Sequence, residues 1–188
     1  MRVGVLASGF GSNLGAILEH VHGRDGVEVV AVGSDRADAL ALQRAREAGI
    51  ATEVFARDDF PDRVERDLAM AEWLTGAGAE LVVLAGYMQL VTPGFLQRFP
   101  DRVINVHPAL LPAFPGLHAV DQALAYGVKV FGVTVHYVDE GVDSGPIIAQ
   151  RAVELPEARS ADDVMTALRP LEHELLTGVV RAFARDQA

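Results

Sequence analysis

Met1-Arg2-Val3-Gly4-Val5-Leu6-Ala7-Ser8-Gly9-Phe10-Gly11-Ser12-Asn13-Leu14 opens the chain, and this stretch decides the fold. Val3 to Ala7 is a short apolar run closed by a Gly/Ser turn, and Leu14 to Val21 then carries apolar spacing that fits a helix. A strand that turns over glycines into a helix is the start of a βα unit. The N–H groups of such a turn and the positive end of the helix dipole face whatever lies above the sheet edge, which makes Ser8 to Leu14 a natural phosphate cradle. Two familiar phosphate motifs fit poorly, because no Lys-Ser/Thr pair closes the loop and Leu14 stands where a dinucleotide fingerprint has its third glycine. Gly11, Ser12 and Asn13 are therefore read as donors to a single phosphate. The plainer reading is a capped turn in which Ser12 or Asn13 serves only the helix N-terminus.

The pattern repeats along the chain. Val27 to Val32 reads as a strand and Ala37 to Ala48 as a helix ended by Gly49; Thr52 to Phe55 is a third strand, followed by a helix from about Arg63 to Thr75. Leu81 to Ala85 is apolar on both faces, as a central parallel strand covered by helices should be. Arg102 to Val106 is the next strand and runs into a shaped loop at Pro108, Pro112 and Pro115. Val120 to Tyr126 is a short helix, Val130 to Val138 and Ile147 to Val153 are strands close enough to pair antiparallel, and Ala161 to Ala184 is helical with a kink or break at Pro170. No repeat, linker or charge block marks a boundary. The expectation is one α/β domain over residues 1–188, with a mainly parallel sheet first and antiparallel strands in the C-terminal half.

Composition narrows the partners. With 26 acidic against 16 basic side chains and a formal net charge of −10, the chain repels nucleic acid and anionic membranes, while local backbone dipoles can still bind a small phosphorylated ligand. It has no cysteine, which excludes disulfides, thiolate metal sites and a Cys nucleophile and allows a cytoplasmic location. The N-terminus lacks the pattern of a secretory signal, and the most apolar stretch, Leu81 to Val91, falls short of the ~20 residues that span a bilayer.

Asn105 and His107 are two apart at a strand end, so their side chains share a face, and Pro108 keeps the preceding residue extended. At the C-terminal edge of a parallel sheet that face opens on the crevice where α/β enzymes bind ligands. An amide donor beside an imidazole suits acyl transfer, with Asn105 stabilising a tetrahedral oxyanion and His107 exchanging protons or acting as a cation. Asp143, in the Asp139-Glu140-Gly141-Val142-Asp143-Ser144-Gly145 loop, is the candidate carboxylate that would favour the imidazolium and relay a proton through water. The alternative is a strand-end hydrogen-bond network with Asp143 as a turn former. Asp35 reads as a helix cap rather than a ribose-binding acid. The six histidines show no zinc-binding spacing, so no metal is expected. Of these, His118 is left as a cap or a substrate contact, and His136 as structural or functional.

Taken in order, Ser8-Gly9-Phe10-Gly11-Ser12-Asn13-Leu14, Leu84-Ala85-Gly86-Tyr87-Met88, Ile104-Asn105-Val106-His107-Pro108-Ala109-Leu110-Leu111-Pro112, Pro115-Gly116-Leu117-His118 and Val142-Asp143-Ser144-Gly145-Pro146-Ile147 resemble the glycinamide ribonucleotide formyltransferases. The resemblance runs from residue 1 to about residue 180. It implies a Rossmann-like formyltransferase fold in which Gly11, Ser12 and Asn13 hold the acceptor's phosphate, and Asn105, His107 and Asp143 form the catalytic set. It further implies that Glu172 meets the acceptor's ribose. Arg63, Met88, Leu90 and the Val138, Asp139, Glu140, Gly141, Val142 segment would then contact the folate. The formyl donor would be 10-formyltetrahydrofolate, the acceptor glycinamide ribonucleotide, and the enzyme a monomer or homodimer of the cytoplasm with no metal, nucleic-acid or membrane partner. Two alternatives stand beside it. A 10-formyltetrahydrofolate hydrolase shares the Asn-His-Asp set but carries an extra N-terminal regulatory domain, and a non-catalytic nucleotide-binding module would explain the glycine loop alone.

Overall fold

The computed structural model describes residues 1–186. Strands β1 (Arg2–Leu6), β2 (Glu28–Ser34), β3 (Ala51–Val54), β4 (Leu81–Leu84), β5 (Val103–His107), β6 (Val130–Tyr137) and β7 (Ile147–Glu154) form one sheet in the order β3-β2-β1-β4-β5-β6-β7. From β3 to β5 every pairing is parallel; β6 runs antiparallel to both β5 and β7. The expected parallel half and antiparallel addition are both present. β5 itself takes an antiparallel neighbour, which the apolar pattern did not disclose.

Helices α1 (Ser12–His20), α2 (Leu40–Glu47), α3 (Arg63–Gly76), α4 (Pro93–Leu96), α5 (Ala119–Tyr126) and α6 (Ala161–Arg185) cover the two faces. Alternation along β1 and β4 explains how both faces are filled. Val3, Val5, Leu81 and Val83 point into a core with Leu14, Ile17, Leu168, Leu176 and Val180, while Leu6, Val82 and Leu84 point the other way, onto Met70, Leu74 and Phe95. Each such side chain removed from water contributes about 1.5–3 kcal/mol, so the sheet is secured from both sides.

Pro170 does not divide α6, which runs through it for 25 residues. The apolar stripe Val164, Leu168, Leu175, Leu176, Val179, Val180 and Phe183 is buried on both sides of the proline, and Pro170 itself faces solvent, where water can satisfy the carbonyl it leaves unpaired. The helix starts at a capping box: Asp163 N–H donates to Ser160 Oγ, and Ser160 N–H donates back to the Asp163 carboxylate. Two elements were not expected from the sequence, α4 and a single 3-10 turn at Arg57–Asp59. Among the described residues, no helix is long and apolar enough to cross a membrane.

Candidate active site

From β1 the chain winds outward through β2 to β3, then returns to β4 on β1's other side and proceeds to β5. Strand order therefore reverses at the β1/β4 boundary, and the C-terminal ends of these strands flank a crevice. The glycine loop leaves β1 here. Ser8 ties it to the loop after β4, since Ser8 N–H donates to Gly86 O at 3.0 Å and Ser8 Oγ accepts from Met88 N–H at 2.8 Å.

Gly11 is the N-cap of α1 with φ 71, the left-handed region that favours glycine, and a Cβ there would lie 2.8 Å from the Ala41 Cα. Neither Ser12 nor Asn13 caps the helix with its side chain. Among the described residues the N–H groups of Phe10, Gly11, Ser12 and Asn13 find no protein acceptor. Donors left over at a helix N-terminus, with the dipole behind them, are an anion site in form. The capped-turn alternative therefore fails on geometry.

Glu172 comes from α6 to the same end of the crevice. It is buried, and burial pushes its carboxyl up to about 7, against the weaker opposing pull of the Asn13 side chain and of Arg169. A solvated helix carboxylate is excluded. Asp35, for its part, caps nothing: α2 begins at Leu40, and Asp35 Oδ2 accepts from Gln89 Nε2 at 3.1 Å.

At the β5 end, the structure brings Asn105, His107 and Asp143 together. Asn105 Nδ2 donates to Asp143 Oδ1 at 3.2 Å, and His107 Nδ1 lies 3.2 Å from Asp143 Oδ2. The loop after β6 makes this possible. A Cβ at Gly145 would run into the Tyr137 carbonyl, so glycine lets the loop fold tightly, and Asp143 adopts φ 51, which Asp tolerates better than most residues. His107 Nε2 is 2.8 Å from Phe114 O, and Gly116 N–H donates to Asp143 Oδ2 at 2.8 Å. Both nitrogens of His107 thus face acceptors, and only the imidazolium donates to both.

Burial is the largest influence on Asp143 and pushes its carboxyl up. The hydrogen bond with His136, the Gly116 N–H and the charges of His107 and His136 together outweigh it and hold the group below its ordinary value. It is a carboxylate at neutral pH.

His136 belongs to this cluster. It stands opposite Asn105 in the antiparallel β5/β6 register, its Nε2 is 3.2 Å from Asn105 Nδ2 and 3.4 Å from Asp143 Oδ1, and its Nδ1 is 2.8 Å from Tyr137 O. The signal that finds it is strand register, not composition. The proline loop carries further groups that side-chain reading misses, the Phe114 carbonyl and the Gly116 N–H. Buried Thr134 pins that loop, accepting from Leu111 N–H at 3.1 Å and donating to Ala109 O at 2.7 Å, while Gln150 Nε2 donates to both Thr134 Oγ1 and Leu111 O at 2.9 Å. His118 sits at the N-cap of α5 without a side-chain cap bond, exposed and 3.5 Å from Asp121.

A cleft runs from Asn105, His136 and Asp143 between apolar walls of Leu84, Tyr87, Leu90, Val91 and Val138, with Asp139, Glu140 and Gly141 along one side. Arg63 does not line it. It faces an adjoining cleft with Arg57, Asp58, Asp62 and Arg66, and Gln89 borders both. Met88 and Val142 line neither cleft and are 60% and 48% exposed, so Met88, like Leu90, is not ordinary core.

The formyl transferase family model matches residues 1–180. The chain belongs to the formyl transferase family. Among curated formyl transferases, the chain is 44% identical to the phosphoribosylglycinamide formyltransferase of Mycobacterium tuberculosis over 183 residues, 97% of this chain and 85% of that one. It is 38% identical to the enzyme of that name from Escherichia coli over 185 residues, 98% and 87% of the two chains. The crystal structure of glycinamide ribonucleotide transformylase 1 from Symbiobacterium toebii superposes with a TM-score of 0.96 at 48% identity, covering 99% of this chain and 88% of that one. The fold of this formyl transferase, a largely parallel sheet completed by antiparallel strands, is therefore one that solved relatives share.

Proposed function

We propose that the chain transfers the formyl group of 10-formyltetrahydrofolate to the amine of glycinamide ribonucleotide, a step of purine biosynthesis. The observation that carries this reading is the distance network joining Asn105, His107 and Asp143 in a crevice whose other end offers main-chain donors at Gly11, Ser12 and Asn13. Relatives named for this reaction over nearly the whole chain support it.

In this reading the acceptor lies along the crevice, its phosphate on the loop N–H groups and its ribose hydroxyls against Glu172. The folate's flat ring system suits the cleft between Leu84, Tyr87, Leu90, Val91 and Val138, whose polar rim at Asp139, Glu140 and Gly141 can meet its ring nitrogens. In the adjoining cleft, which Asp58 and Asp62 also line, Arg57 and Arg63 are the cations that would meet a negatively charged tail of the donor. Met88 and Val142, outside both clefts, could meet the donor only at its exposed edge.

Attack of the amine on the formyl carbon forms a C–N bond and leaves negative charge on the formyl oxygen. Asn105 Nδ2 supplies a donor for that charge, and His107, whose two ring nitrogens already face Asp143 and Phe114 O, acts there as a neighbouring positive charge when it is the imidazolium. Asp143 orients His107 and receives the proton that the attacking amine must lose, directly or through one water. The C–N bond to the folate then breaks, its nitrogen takes the proton that Asp143 received, directly or through the same water, and tetrahydrofolate leaves. No covalent enzyme intermediate is required. The reading also assigns two small-molecule partners to a cytoplasmic monomer or homodimer, consistent with the −10 charge that disfavours nucleic acid and anionic membranes.

The test is to follow tetrahydrofolate release spectroscopically with and without glycinamide ribonucleotide. Release that depends on the acceptor is expected. Equal release without it would point to a hydrolase instead.

A further inference from the structure

Helix α2 grips the glycine loop from behind through two main-chain oxygens. Ala41 N–H donates to Gly9 O at 3.1 Å, and Arg44 Nε–H donates to Phe10 O at 3.1 Å. The Arg44 guanidinium also lies 4.7 Å from the centroid of the Phe10 ring, which is 62% exposed. Across a planar trans peptide the C=O and N–H point in opposite directions. Oxygens of Gly9 and Phe10 turned onto α2 therefore aim the N–H groups of Phe10 and Gly11 away from it, to the open side of the loop.

The Phe10–Gly11 peptide needs holding. A glycine at φ 71 accepts negative φ equally well, so this unit can flip and present its carbonyl oxygen where the N–H had been. That flip would replace a donor with a partial negative charge. Ala41's bond is main chain and constrains the preceding peptide, whereas the bond on the Phe10 carbonyl comes from a side chain.

We propose that Arg44 is a positioning residue for the acceptor's phosphate: by holding the Phe10 carbonyl, it keeps the Gly11 N–H aimed at the anion and places a positive charge behind the cradle. The inference rests on the phosphate reading of the loop given above.

Steady-state kinetics of Arg44→Ala test it. The acceptor KM should rise about tenfold, as expected for losing a donor to a charged group, while kcat and the donor KM stay within about twofold. Inorganic phosphate, used as a competitive inhibitor against the acceptor, should weaken in the same proportion. Arg44→Lys, which keeps the charge and a donor but not the planar stack, should recover part of the loss. An unchanged acceptor KM in Arg44→Ala overturns the inference if Gly11→Ala, which disturbs the main-chain donors themselves, does raise it. A fall in kcat with both KM values held would reduce Arg44 to a structural role. If Gly11→Ala also leaves acceptor KM untouched, the phosphate reading fails and takes the proposal with it.

Discussion

At the end of β1 the crevice offers main-chain N–H groups, whereas at the end of β5 it offers side chains that titrate. The first set cannot change protonation and is positioned by conformation alone: Gly11 in the left-handed region, packed on Ala41. The second depends on which atoms carry protons, because the two acceptors around His107 and the two histidines around Asp143 can be satisfied only in particular charge states. On the proposed function, one end grips and the other reacts. Damage at the two ends should therefore show in different kinetic constants.

The largest effect is expected at the reacting end. His107→Ala or Asn105→Ala should lower kcat by ~10² or more with the fold intact, since the proposed mechanism uses the Asn105 amide as a donor and the His107 imidazolium as a positive charge where negative charge develops. Near-normal turnover in a folded variant, judged by circular dichroism, would mean the cluster is structural. At the gripping end, Gly11→Ala places a methyl against the Ala41 backbone at a φ that alanine resists, so acceptor KM should rise by about tenfold or more, with a stability loss of ~1–3 kcal/mol. A drop confined to kcat would erase the division of labour.

A smaller effect tests the support of the cluster. Thr134→Val leaves Leu111 N–H and Gln150 without their shared oxygen, which should cost ~1–3 kcal/mol in chemical denaturation and loosen the loop that brings Phe114 O and Gly116 N–H to the cluster. An unchanged denaturation midpoint would show that Thr134 does not pin the loop.

A pH-dependent effect concerns Glu172, where the neutral form is favoured in the fold because its carboxyl is raised from 4.5 to about 7. The native state then binds more protons than the unfolded chain between these values, so stability is undiminished below the lower one and falls as pH rises through about 7. Glu172→Gln should melt a few degrees higher than the unsubstituted chain near pH 8, with the gap closing near pH 4. A gap independent of pH would place the carboxylate in water.

The same contrast explains what could be read from residues alone. Apolar runs at Val3 to Ala7 and Leu81 to Ala85 announce strands covered on both faces, and glycines at the end of β1 announce a turn into a helix, because those constraints are local. The spacing of Asn105 and His107 places them on one face for the same reason. The residues alone do not place His136, because its position depends on register with β5, a long-range pairing. Backbone groups such as Phe114 O and Gly116 N–H have no side-chain signature at all. Pro170 misled in the opposite direction, since a proline that breaks an isolated helix is carried here by packing of α6 against the sheet.

The most direct measurement follows the carbon itself. With a donor labelled at the formyl carbon, mass spectrometry of a single turnover should find the label on glycinamide ribonucleotide, with little free formate. Label recovered as formate whether or not the acceptor is present would contradict the account.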